Sequence, residues 1–167
     1  IHGNPNPANS AAPNTALTAA WNGVGFRGVG SAVYVGNGWV ISANHVGPGD
    51  VDFGGSVGNR ARDNSVASVV LQNAAGSQTD LVMFRLANWS GLTAVPIAAS
   101  VPVINQQVWM IGTGLTRDGT ALQWIGVTGG SQQGYYASAW RTKQWGMNTV
   151  APQFPGTTTL LGSYNIG

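Results

Sequence analysis

Two side chains stand out as able to carry chemistry at neutral pH. His45 follows Gly36-Asn37-Gly38-Trp39-Val40-Ile41-Ser42-Ala43-Asn44, a glycine-rich turn that leads into an apolar strand ending in small residues. Such a strand fixes the backbone and lets an imidazole project from its end into a cleft. Asp80 heads Thr79-Asp80-Leu81-Val82-Met83-Phe84-Arg85-Leu86, where a poorly solvated carboxylate needs a hydrogen-bonding partner. A carboxylate of this kind can fix the tautomer of a neighbouring imidazole and stabilise the imidazolium formed during proton transfer. Taken singly, each has a plainer reading: His45 as a structural histidine bonded within a loop, Asp80 as a strand-start aspartate. The only other histidine, His2, lies in a proline-rich opening segment and reads as a solvated side chain.

The elements that must position these groups are strands. Twenty-five Gly and eight Pro break the 167-residue chain at short intervals. Between them lie runs rich in Val, Ile, Thr, Tyr and Trp, which predict strands over Ser31–Val35, Trp39–Ser42, Ser65–Leu71, Leu81–Leu86, Val108–Ile111, Leu122–Val127 and Thr157–Leu161. A short helical piece is expected over Ala16–Trp21, and Asn4–Asn14 is expected to form an extended surface arm. Many short strands joined by glycine-rich turns imply an all-β sandwich or barrel. Pro96 and Pro102 bracket a break that divides the chain into residues 1–95, an arm and first lobe, and residues 96–167, a second lobe.

Composition excludes several alternatives. Hydrophobic residues make up 43%, enough for a core, while only 7% are charged against roughly 25% in average soluble domains. The absence of Glu and the single Lys, Lys143, argue against helical bundles, which place those residues on their solvent faces. A net charge of +2 spread along the chain makes no nucleic-acid surface. No apolar stretch reaches the roughly 18 residues that a membrane-spanning helix needs. Zero Cys excludes a thiol nucleophile, disulfides and thiolate metal sites. A surface of Asn, Gln, Ser, Thr and Gly is expected for a mature, secreted protein.

Placed together, the two segments carry a resemblance. Gly30-Ser31-Ala32-Val33 followed by Gly38-Trp39-Val40-Ile41-Ser42-Ala43-Asn44-His45-Val46 resembles the histidine motif of trypsin-like, chymotrypsin-fold serine proteases, in which a G-S-G or G-S-A strand precedes W-[VI]-[LI]-[TS]-A-A-H. Thr79–Leu86 is similar to that family's segment around its aspartate. Val108-Trp109-Met110-Ile111-Gly112-Thr113-Gly114 resembles the strand that opens the second barrel, and Lys143-Gln144-Trp145-Gly146-Met147-Asn148 is similar to the R-W-G-T-N stretch of a bacterial secreted branch. Asn44 stands where the family usually has Ala or Gly. The resemblance implies two antiparallel Greek-key β-barrels, a catalytic His45 and Asp80, no cofactor, and a polypeptide substrate cleaved through an acyl-enzyme. Ile1-His2-Gly3 is similar to the I-V-G-G terminus of activated members, although Ile1 reads more simply as a processing point.

The family's G-D-S-G-G nucleophile segment is absent. Gly162-Ser163-Tyr164-Asn165 is the nearest match, but Ser163 reads better as a strand-end or turn serine. The family needs further chain after its serine for the oxyanion-hole amides, a substrate-binding strand and the pocket walls. The second barrel is therefore expected to be incomplete, with an uncovered apolar face around Val108, Met110, Ile125 and Leu160. A separate C-terminal fragment of the same precursor is expected to complete it and supply the serine. The alternative is a catalytically inactive protease-fold domain with a binding or structural role.

Two further readings carry less weight. Some of the seven Trp suggest a carbohydrate-binding face, with Trp39 and Trp109 expected in the core and Trp140 and Trp145 outside. Asp50 and Asp52 in the Gly47–Gly55 loop have the oxygen ligands calcium takes, but two carboxylates in a glycine-rich turn read as solvated. No metal site is expected.

Overall fold

A computed structural model describes residues 11–117, 123–127, 130–134 and 137–151. The chain enters through a 3-10 turn, Thr15–Leu17, capped by the Asn14 side chain accepting from the Leu17 N–H at 3.1 Å. A five-residue helix follows, α1 (Thr18–Asn22). Seven strands come next: β1 (Val24–Arg27), β2 (Gly30–Gly36), β3 (Trp39–Ala43), β4 (Val51–Asp52), β5 (Asn59–Arg60), β6 (Val69–Gln72) and β7 (Gln78–Arg85). After a stretch without helix or strand come β8 (Gln107–Arg117), β9 (Gln123–Val127), β10 (Gly130–Gly134) and β11 (Ala137–Thr149). The fold is all-β, as expected, and every strand pair among the described residues is antiparallel.

The first seven strands form one sheet in the order β5-β4-β1-β2-β3-β7-β6. Beyond β5 the chain turns back on β7. Arg62 bridges Leu86, Asp63 N–H donates to Arg85 O at 2.8 Å, and Ala87 N–H donates to Ala61 O at 2.9 Å. One edge of the sheet is thereby drawn back onto a strand next to the other edge.

Alternation decides which side is core. Tyr34, Val40 and Phe84 form one cross-strand row, and Ala32, Ser42 and Val82 the next. All six are buried, together with Val51, Phe53 and Leu86. The hydroxyl of buried Ser42 is satisfied by donating to Ser31 O at 2.9 Å, as an interior polar group must be. The β2–β3 hairpin turns at Asn37 and Gly38, whose φ angles of 51° and 84° match the left-handed pair that hairpin twist favours.

The second part is a ribbon of β8 and β11, with β9 and β10 paired separately. Side chains of Thr113, Arg141 and Lys143 join the ribbon to the first part of the chain, Arg141 by donating from Nη1 to Val29 O at 2.6 Å. Thr113 N–H donates to Ser31 Oγ at 2.7 Å, and Thr113 Oγ1 donates to Gly30 O at 2.8 Å. The ammonium of Lys143 donates to the backbone carbonyls of Trp21, Val24 and Phe53 at 2.9, 2.7 and 3.0 Å, and sits 5.0 Å from the Trp21 ring centroid. Burial pulls this ammonium below its ordinary pKa, with Asp52 partly offsetting the shift.

Several expectations need correction. The strand expected from Ser65 begins only at Val69, because Asp63 Oδ1 accepts both the amide and the hydroxyl of Ser65 and closes a local turn. The strand β11 has no counterpart among the predicted ones. Trp109, expected in the core, is 39% exposed and packs edge-on against Trp145 at 5.0 Å. Trp145, expected outside, is half-buried. Met110 and Met147 are also exposed. The strand expected over Thr157–Leu161, the first part of the arm, His2, Ser163 and the side chains of Ile125, Trp140 and Leu160 lie outside the description.

Candidate active site

Buried Val40 and Ser42 lock β3 into the sheet, so the chain leaves Ala43 at a defined height. It then closes a tight turn. Val46 N–H donates to Ala43 O at 3.1 Å, and Gly47 N–H reaches the carbonyls of Ala43 and Asn44 at 3.2 and 3.0 Å. Gly47, at φ 77°, takes the left-handed conformation that lets the chain swing away. His45 sits in the middle of this turn.

Asp80 arrives from the neighbouring strand. Pairing of β3 with β7 sets Ala43 opposite Leu81, and one step further Asn44 N–H donates to Asp80 O at 2.9 Å. Thr79 points inward, its hydroxyl donating to Leu71 O at 2.9 Å, and β7 is irregular against β6 between Gln78 and Val82. The Asp80 side chain consequently faces outward on the side of the turn. Its Oδ1 accepts the His45 backbone N–H at 2.9 Å, and its Oδ2 lies 2.6 Å from His45 Nδ1. This is the one ion pair among the described residues, with side chains 69% and 40% exposed for His45 and Asp80.

The backbone N–H of His45, followed by its imidazole, holds the Asp80 carboxyl below the ordinary carboxylate range. Asp80 is therefore ionised at neutral pH and can only accept hydrogen bonds. The proton of a neutral His45 ring is then placed on Nδ1, leaving Nε2 with its lone pair. The open ring gives a reactant access to that nitrogen. The arrangement can take a proton at Nε2 and stabilise the resulting imidazolium through Asp80.

Other candidate residues are placed differently. Asp50 Oδ1 accepts from the Arg62 N–H at 2.9 Å, tying the segment before β4 to the segment after β5, and Asp52 Oδ1 accepts from the Gly54 N–H at 2.8 Å within its own turn. A cavity of about 420 Å³ between Trp21, Phe26, Phe53 and the Arg141–Lys143 segment shares no lining residue with the His45–Asp80 pair. Reading the sequence missed the Ser31–Thr113 junction and the role of Lys143. The signals available were a threonine between Gly112 and Gly114 and a lysine that is the only one in the chain.

The sequence has no match among curated proteins. The family model described as Trypsin matches residues 6–157, a span that takes in the His45 turn, Asp80 and the whole of β8 to β11. With the antiparallel all-β architecture and the matching histidine and aspartate segments, the chain belongs to the trypsin family, whose members are chymotrypsin-fold serine proteases.

Proposed function

We propose that this protein is a secreted serine endopeptidase in which His45 is the general base and acid and Asp80 orients it. The observation that carries the proposal is the 2.6 Å contact between His45 Nδ1 and Asp80 Oδ2 beneath an exposed ring. A histidine held on a carboxylate in this way supports a reading of nucleophilic catalysis by a serine. The nucleophile belongs to a segment outside the described residues. A serine on a C-terminal fragment of the same precursor is the preferred source, and Ser163 the weaker one.

In the first half-reaction the serine hydroxyl attacks the peptide carbonyl while its proton moves to His45 Nε2. The C–N bond of the tetrahedral intermediate then breaks, and His45 returns the proton to the departing amine. Water then attacks the acyl-enzyme carbonyl while its proton moves to Nε2; the ester C–O bond breaks, His45 returns the proton to the serine oxygen, and the carboxylic acid leaves. Asp80 stabilises the imidazolium in both halves and keeps its own charge.

Labelling with a fluorophosphonate probe tests the proposal. Label is expected on a serine of this chain or of a fragment that co-purifies with it, and His45→Ala should abolish it. A folded protein in which no associated chain takes label would overturn the proposal in favour of a non-catalytic, protease-fold binding domain.

A further inference from the structure

The turn that carries His45 is held firmly at its start, where Ala43 pairs with Leu81 and Asn44 bonds to Asp80. Its far end has a different anchor. Arg27, at the end of β1, donates from Nε to Gly47 O at 3.0 Å and from Nη2 to Pro48 O at 2.6 Å. One edge of the planar guanidinium thus spans two successive carbonyls, a match that only a fork-shaped donor makes. The guanidinium occupies the place where a side chain at residue 49 would begin, because a Cβ built on Gly49 overlaps the Arg27 Nη2, Cζ and Nε atoms. Gly49 does not have the positive φ that would itself demand glycine. Its lack of a side chain makes room for Arg27. Val46 completes the anchor by packing onto Gly30, where an added Cβ would come within 3.2 Å of Val46 Cγ2.

We infer that Arg27 is a positioning residue for His45: by gripping the carbonyls of Gly47 and Pro48, it holds the turn so that the imidazole stays on Asp80. The inference rests on reading His45 and Asp80 as base and orienting carboxylate. Arg27 touches neither group and acts through three residues of backbone. A lysine in its place offers a point charge to one carbonyl and keeps only part of the effect.

The test follows two protons of His45 in the full chain by NMR: the Nδ1–H shared with Asp80, and the backbone N–H that donates to Asp80 Oδ1. In Arg27→Ala, exchange of both is expected to rise about tenfold, the size of one lost charge-assisted hydrogen bond. The core amides of Val40 and Phe84 should stay within about twofold. Gly49→Ala, which displaces the guanidinium without removing it, should reproduce this pattern, and the double variant should add nothing to either single one. If Arg27→Ala fails to fold, Gly49→Ala decides by the same readout. Unchanged His45 protons, equal acceleration of the core amides, or additive single effects would each overturn the inference. In wild-type protein that labels with the fluorophosphonate, Arg27→Ala should lower kcat about tenfold with KM unchanged. Wild-type protein that never labels, yet shows the NMR pattern in the variants, would sink the protease reading and leave the positioning role standing.

Discussion

Asp80 meets His45 with both of its oxygens, Oδ1 on the backbone N–H at 2.9 Å and Oδ2 on Nδ1 at 2.6 Å. The first contact fixes the turn and the second fixes the ring, so one carboxylate sets both the height and the rotation of the imidazole. A carboxylate can do this because it has only acceptors to offer. A neutral isostere cannot repeat it.

Asp80→Asn is therefore expected to fold and to lose catalysis. Its amide oxygen can replace Oδ1 against the His45 N–H, which turns the NH2 group toward Nδ1. Nδ1 must then accept, the ring proton moves to Nε2, and the base faces the serine in the wrong tautomer. A fall in kcat of about 10⁴ is expected, with KM nearly unchanged. Steady-state hydrolysis of a fluorogenic peptide by the active material measures it, alongside the rate of fluorophosphonate labelling.

Acid should reveal the same contact as stability. Folding lowers the Asp80 pKa from its ordinary 3.8, so between the two values the native state binds fewer protons than the unfolded chain. The stabilising contribution is fully present above the unfolded pKa and disappears as pH falls through the native one. Asp63, held low by the Ser65 hydroxyl and amide, changes in the same direction. The difference between wild type and Asp80→Asn isolates Asp80. Urea midpoints of the two proteins should be separated above about pH 4 and draw together as pH falls through the lowered native pKa of Asp80. A gap that stays constant across this range would contradict the assignment.

Lys143→Met removes the donor from three backbone carbonyls that come from α1, β1 and the loop after β4. Phe53, whose carbonyl accepts one of these bonds, is only 2% exposed, so water replaces the ammonium poorly there. A loss on the order of 2–4 kcal/mol is expected. Chemical denaturation monitored by tryptophan fluorescence should report it, and hydrogen exchange should rise first in β8 and β11, which lose one of their ties to the first sheet and keep those made by Thr113. Lys143→Arg should not rescue fully, because a planar fork cannot serve three carbonyls around one point.

Much of the first sheet was legible in the sequence because strand alternation is a local property. Val40 and Ser42 on β3 and Val82 and Phe84 on β7 alternate with half-buried neighbours, and the same periodicity can be read from the letters. The ribbon was less legible. In β11, Arg141, Thr142, Lys143 and Gln144 interrupt any apolar face, so the run lacks a strand signature although ten of its residues pair with β8. Its regularity comes from its partner.

What the sequence by itself determined is the all-β class, the residue types able to move a proton, and the strand ends that carry them. Tertiary structure alone decided that His45 and Asp80 touch twice, that Arg27 grips the turn from β1, and that Lys143 finds three carbonyls. The physical reason is range. Burial pattern and turn chemistry depend on neighbours two to four residues away, whereas these contacts depend on register between strands and on how the sheet brings distant segments to the same point.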